Sequence, residues 1–122
     1  MKFDFEGDTP LYQQVAEEIA EGIFNGSYLE GTQIPSTTEI SKVYKINPAT
    51  ILKGMNQLVA ENLIEKRRGL GMFVMAGAQQ IILEKRKSEF ITTKLSNILE
   101  EARKLNISQA QLIDLIERGY EK

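Results

Sequence analysis

Residues 33–74, QIPSTTEISKVYKINPATILKGMNQLVAENLIEKRRGLGMFV, are the stretch whose reading decides the fold. Two helix starts are written into it. Ser36 with Glu39 three residues on is a capping box, in which each residue satisfies the other's backbone N–H. Asn47 followed by Pro48 is an N-cap with proline at the first helical position, where a missing N–H costs nothing. The first helix is short, residues 36 to about 44, with Ile40, Val43 and Tyr44 expected inward and Lys45 and Ile46 turning the chain. The second runs from residue 48 to about 62, and Ile51, Leu52, Met55, Leu58 and Val59 recur in it at helical spacing. LIEKRRGLGMFV then reads as an apolar strand, a turn carrying Lys66, Arg67, Arg68, Gly69 and Gly71, and a second strand. Gly69 and Gly71 let such a turn bend and let its backbone approach a phosphate closely. Helix, turn, helix and a basic two-stranded wing, in that order, form a device for reading DNA.

Upstream, MKFDFEGDT is a polar lead-in whose two phenylalanines are expected to pack on the domain. Thr9-Pro10 opens a helix with an apolar stripe of Leu11, Val15, Ile19, Ile23 and Phe24, Tyr12 beside it, and Glu17, Glu18 and Glu21 on the solvated side. Asn25-Gly26 closes it. In the linker that follows, Gly31 is a turn residue and Ile34 a short-strand or core anchor.

Downstream, from about residue 78, a long helix begins. Ile91, Leu95, Ile98, Ala102 and Leu105 step by 4, 3, 4 and 3, the seam of a helix that packs on another helix. Asn106 breaks it. Ser108 and Gln111 form a second capping box, with Ile107 against Leu112 as a staple, and Leu112, Ile113, Leu115, Ile116 and Tyr120 line a last helix. With Ile81, Ile82, Leu83 and Phe90 added, two helices carry more apolar surface than they can bury between them. A second copy of the chain across a twofold axis is the economical cover.

Charge is distributed to match. The 122-residue chain has a net charge of −2, which by itself argues against nucleic acid. Residues 1–32, however, carry one lysine against seven carboxylates, a net of −6, whereas residues 33–77 carry six bases against three acids, a net of +3. Residues 78–122 carry eight bases and seven acids. Because screening confines attraction to about 8 Å, the basic centre decides phosphate binding locally. The acidic flank weakens non-specific affinity and makes binding depend on salt and fit.

Catalytic chemistry is missing from the sequence. It has no histidine and no cysteine, and no HExxH, GxSxG, Walker-type loop or GxGxxG. Glu17/Glu18 and Glu100/Glu101 are neighbours on helices, so their side chains diverge. Neither a cofactor nor a metal site is expected, and the chain is read as no enzyme. Lack of cysteine fits a reducing cytoplasm, and no apolar run approaches the roughly 20 residues of a membrane span. A soluble cytoplasmic protein is expected.

Individually the motifs have ordinary explanations. Any helix can start with Asn-Pro, a basic turn is often just solvated, and Ser36 and Thr37 cap helices by default. Their joint order and spacing favour DNA: Asn47 and Thr50 to bases or phosphates, Ala49 to a thymine methyl, Lys53 to a phosphate or guanine, and Ser36, Thr37 and Thr38 to a phosphate. The rival readings are a protein-binding winged-helix adaptor without DNA specificity, and a regulator gated by a small molecule, for which no convergent polar cluster is visible.

Residues 10–74, about half of the 122-residue chain, resemble the GntR-type bacterial transcription regulators. The matching patterns are the opening PLYQQV, GSYLEGTQIPS at 26–36, the recognition helix, and the wing R-R-G-x-G-x-F-V. The Asn-Pro-x-Thr start and the short tail resemble the YtrA subfamily, whose members carry two helices for dimerisation in place of a large effector-binding domain. Fewer than 50 residues follow the wing here, which leaves little room for a metabolite pocket. The resemblance implies a dimeric repressor on a palindromic operator, often controlling ABC-transporter genes, with DNA contacts at Ser36, Thr50, Arg68, Gly69 and Gly71. It also exposes departures: Thr38, Pro48-Ala49-Thr50 and Leu52 stand where many relatives have arginine or Arg-Thr-Thr. Each lost guanine contact is worth about 1–3 kcal/mol of discrimination, so the operator sequence cannot be carried over from the broader family.

The expectation is therefore an α+β, mostly helical chain. Residues 1–77 form a winged helix-turn-helix DNA-binding domain and residues 78–122 a two-helix C-terminal dimerisation arm. Ile91, Leu95, Ile98, Ala102, Leu105, Leu112 and Ile116 are its expected contacts with a second copy.

Overall fold

In the computed structural model, which describes residues 1–122, the elements run α1 (Leu11–Phe24), α2 (Thr37–Tyr44), α3 (Pro48–Ala60), β1 (Ile64–Arg67), β2 (Gly71–Val74), α4 (Ala78–Glu89), a π-helical segment (Phe90–Leu95), α5 (Ser96–Lys104) and α6 (Gln109–Tyr120). Two compact units divide at Leu83/Glu84.

In the first unit the apolar stripe of α1 meets that of α3. Val15, Ile19, Ile51 and Met55 are all 0% exposed, and each such burial contributes about 1.5–3 kcal/mol. Close approach of the two helices depends on Gly54, because a Cβ there would sit 2.5 Å from the Tyr12 carbonyl oxygen and 3.1 Å from Val15. Both capping signals are present as read: Ser36 Oγ accepts from Glu39 N at 3.0 Å while Glu39 Oε1 accepts from Ser36 N at 3.2 Å, and Asn47 Oδ1 accepts from Ala49 N at 2.9 Å. Between the helices Lys45 adopts the left-handed conformation, φ 57°, and Ser41 Oγ donates to the Ile46 carbonyl at 2.7 Å. Ile46 is thereby buried at the corner. α1 starts one residue later than Thr9-Pro10 implies, with Pro10 as its N-cap.

Two apolar residues of this motif are not where helical spacing alone would put them. Val43 is 68% exposed, so Ile40 alone anchors α2 in the core, with Tyr44 packed beside it. Leu52 is 44% exposed. Only one side of a short helix faces a neighbour, and residues 51 and 55 already occupy that side of α3.

β1 and β2 pair antiparallel with Ile64 opposite Val74 and Lys66 opposite Met72. The linker adds a short third edge: Gly31 N donates to Val74 O at 2.8 Å, Ile34 N to Met72 O at 3.0 Å, and Gln33 bridges to Phe73. Ile34, read as an anchor, is buried. The lead-in is held by a residue outside the apolar stripe. Buried Gln14 accepts from Asp4 N and donates to the carbonyls of Asp4 and Thr9, each at 2.8 Å. Phe3 packs edge-on against Tyr44, centroids 5.3 Å apart, whereas Phe5 is exposed. The first unit also extends past residue 77. Ala78 and Ile82, on the first turns of α4, are buried in the same core as Ile64 and Val74. The boundary lies where α4 stops contributing to that core.

The second unit, Glu84–Lys122, is built of helices alone, with a turn at 105–108 between α5 and α6. The long helix carries a π-helical segment at Phe90–Leu95, where backbone bonds widen to i→i+5. α5 closes on Asn106 at φ 57°, with Ile107 N donating to Ala102 O at 3.0 Å. Ser108 and Gln111 form the second capping box. Of the apolar residues here only Ala102 is buried, while Ile91, Ile98, Leu105 and Ile116 are exposed. Leu99, Ala102, Ile107, Leu112, Ile113 and Ile116 line an open apolar groove of about 470 Å³. No helix is long and apolar enough to cross a membrane.

Candidate nucleic-acid interface

Three elements of the first unit converge on one cleft of about 420 Å³. It is lined by Ser36, Thr37 and Thr38 from the start of α2, Leu52 and Asn56 from α3, and Lys66, Gly71 and Met72 from the wing. The start of α2 points its partial positive charge and first-turn N–H groups outward, an arrangement suited to a phosphate. Not every hydroxyl there is available. Thr37 Oγ1 donates inward to Met55 Sδ at 3.5 Å, and Ser36 Oγ serves as the cap acceptor, which leaves its own proton to donate. Thr38 is exposed.

Asn47, Ala49 and Lys53 are exposed at the leading end of α3, with Thr50 half-buried among them. The Asn47 oxygen is committed to the cap, so its amide nitrogen is the group that can donate outward. Lys53 lies with its ammonium 4.0 Å from the centroid of the Tyr12 ring, held on the α1 side of the helix by a cation–π contact.

Strand alternation sorts the three basic residues of the wing. Lys66 lies on the face shared with Met72 and looks into the cleft. Arg67 lies on the other face, 4.1 Å over the Phe73 ring and 3.1 Å from Glu65 Oε1. It lines a separate cleft with Glu30 and Glu65. Arg68 and Gly69 occupy the exposed tip, where Gly69 has φ +76°. Gly71 has φ +123°, and a Cβ there would meet Gln33 Nε2 at 2.5 Å. Its backbone conformation requires glycine, and a side chain there would also push the Gln33 amide aside.

Two residues of this surface are absent from the motif reading. Gln33 Nε2 donates to the Leu70 carbonyl at 2.6 Å and so braces the wing tip from the linker. Asn56, two turns beyond Ala49 on the same side of α3, presents an amide to the cleft. Asn56 was discoverable, since it follows Ala49 by seven residues on the polar side. Gln33 had no local signal, because its partner is 37 residues away. No group of three or more Asp, Glu, His or Cys side chains could hold a metal ion.

Known proteins share both the sequence and the architecture. Residues 11–74 match the model of the bacterial regulatory proteins, gntR family. The HTH-type transcriptional repressor YtrA of Bacillus subtilis is 26% identical over 95% of this chain and 88% of its own length. A GntR-family transcriptional regulator from Bacteroides thetaiotaomicron superimposes with a TM-score of 0.78 at 27% identity, covering 90% of this chain and 96% of the other. The AraR DNA-binding domain, solved in complex with operator ORR3, superimposes with a TM-score of 0.54 at 32% identity over 61% of this chain and 89% of its own. Its relatives are regulators and not enzymes, and this chain, a DNA-binding transcriptional regulator, belongs to the gntR family and is YtrA-like within it.

Proposed function

We propose that the protein is a cytoplasmic repressor that binds an inverted-repeat operator as a homodimer, with ABC-transporter genes as its expected targets. The observation that carries this reading is the single cleft joining the start of α2, the outward side of α3 and Lys66 of the wing. The operator-bound AraR domain, similar over 61% of this chain, supports DNA as the partner. Ser36, Thr38, Asn47, Ala49, Thr50 and Lys53 address bases and adjoining phosphates, and Lys66, Arg68, Gly69 and Gly71 address the backbone beside them. The exposed apolar residues of the second unit support the dimer: Ile91, Ile98, Leu105 and Ile116 lie in water in the single chain, at a cost that a second copy would remove. No small-molecule effector is assigned.

Selection of binding sites from a random duplex pool, read at two salt concentrations, tests the reading. An inverted repeat should be enriched, with half-site centres one helical turn, about 34–36 Å, or a multiple of it apart. Searching the genome for that repeat then tests the transporter assignment. On the selected site Arg68→Ala should weaken binding to all sequences alike, and Thr50→Ala should relax preference at one base position. If nothing is recovered even at low salt, the protein is not a DNA-binding repressor, and a protein-binding adaptor takes its place.

A further inference from the structure

Ala49, Leu52 and Asn56 follow one another at helical spacing and form one outward stripe on α3. Leu52 is the unexpected member. It is 44% exposed between Ile51 and Met55, which are both fully buried, so the core does not need it. Its side chain opens instead into the cleft beside Thr38 and Met72. α3 contains no arginine, and its one cation, Lys53, rests on the Tyr12 ring. The arginine fork that most often recognises guanine O6 and N7 is therefore lacking on this helix. What the stripe does present is a set of methyl groups and one amide. In the major groove the only apolar feature of a base pair is the C5-methyl of thymine.

We propose that Leu52 is a specificity-determining residue that reads the 5-methyl group of a thymine in each half-site. This inference rests on the operator-binding reading above and assigns a base identity within it. The apolar contact needs no hydrogen bond and replaces discrimination that an arginine would supply.

The test uses the selected operator duplex with thymines replaced one at a time by deoxyuridine, which removes the methyl group and keeps every hydrogen-bonding edge. Affinities of the full-length protein are measured by fluorescence anisotropy. At one position per half-site the wild type should lose about fourfold in affinity, the equivalent of one buried methyl group. Leu52→Ala should bind the thymine and uracil duplexes equally at that position. Leu52→Met, which keeps an apolar side chain of similar reach, should retain the difference. Sensitivity to uracil that survives unchanged in Leu52→Ala would overturn the proposal, because the methyl would then be sensed by Ala49 or through DNA shape. Indifference of the wild type to uracil at every position would also overturn it while leaving operator binding intact. Absence of any preferred duplex would overturn the operator reading and this inference together.

Discussion

Between residues 1 and 83 the apolar stripes meet one another. Val15, Ile19 and Ile23 of α1 and Ile51, Met55 and Leu58 of α3 are each at most 1% exposed. Between residues 84 and 122 stripes of the same composition meet water: Ile91 is 59% exposed, Ile98 50% and Leu105 63%. Hydrophobic periodicity is present in both units, so periodicity marks a surface that must be covered and does not say by what. In the first unit a second helix and the wing supply the cover within the chain. In the second, two helices and a groove leave most of it open, which is why a second copy enters the proposal.

The largest test of this contrast is a matched pair of truncations. Ile51→Ala should destabilise the protein by about 2–5 kcal/mol, through lost transfer energy and the cavity left behind. That loss should be the same at every protein concentration. Ile98→Ala should cost little in dilute solution and lose stability only where copies associate, because linkage makes its effect concentration-dependent. Denaturant unfolding of both variants at two concentrations, a hundredfold apart, distinguishes them. Equal losses at all dilutions would mean that the second unit closes a core of its own.

A charge on the open face is the next sharpest probe. Ile116→Asp should yield a monomer and weaken binding to the full inverted repeat by about 100-fold, since linking two reading heads multiplies affinity by roughly that factor or more. Affinity for an isolated half-site should be unchanged, because Ile116 belongs to the second unit and the cleft to the first. Sedimentation of the variant, alone and with each duplex, reads both quantities. A dimer that persists through this substitution would move the interface away from the α5–α6 groove.

What the sequence makes legible in this molecule is local. Ser36 with Glu39, Asn47 with Pro48 and Ser108 with Gln111 each act within four residues, and all three helix starts stand where those residues put them. The glycines of the wing are similarly self-explanatory. What escapes such reading is non-local. Leu52 and Val43 fit a helical period but lie off the sides of α3 and α2 that enter the core, and only the tertiary packing reveals this. Ala78 and Ile82 look like the start of the terminal helix and belong to the first core. Gln14 and Gln33 pair with the lead-in and with the wing tip, at separations where composition carries no signal. The linker's bridge at Gln33 forms because the hairpin offers it an edge.

The smallest expected effect concerns the wing, where the same question of what covers a side chain recurs between neighbouring residues. Lys66 and Arg67 are both basic, yet strand alternation sends them to opposite faces. Lys66 joins the cleft with α3, so Lys66→Ala should remove one phosphate contact and reduce the slope of log K against log salt by about 0.9. Arg67 is tied to Phe73 and Glu65 on the far side. Its ion pair is substantially exposed and its ring contact lies at the surface, so Arg67→Ala should lower stability by less than about 1 kcal/mol. It should leave the salt slope unchanged, with only a slight general loss of affinity as the wing loosens. Titrations of both variants on one operator at four salt concentrations decide the matter. Equal slopes for the two variants, both below the wild type, would mean that DNA reaches around both faces of the hairpin, and that the Phe73 contact yields to a phosphate on binding.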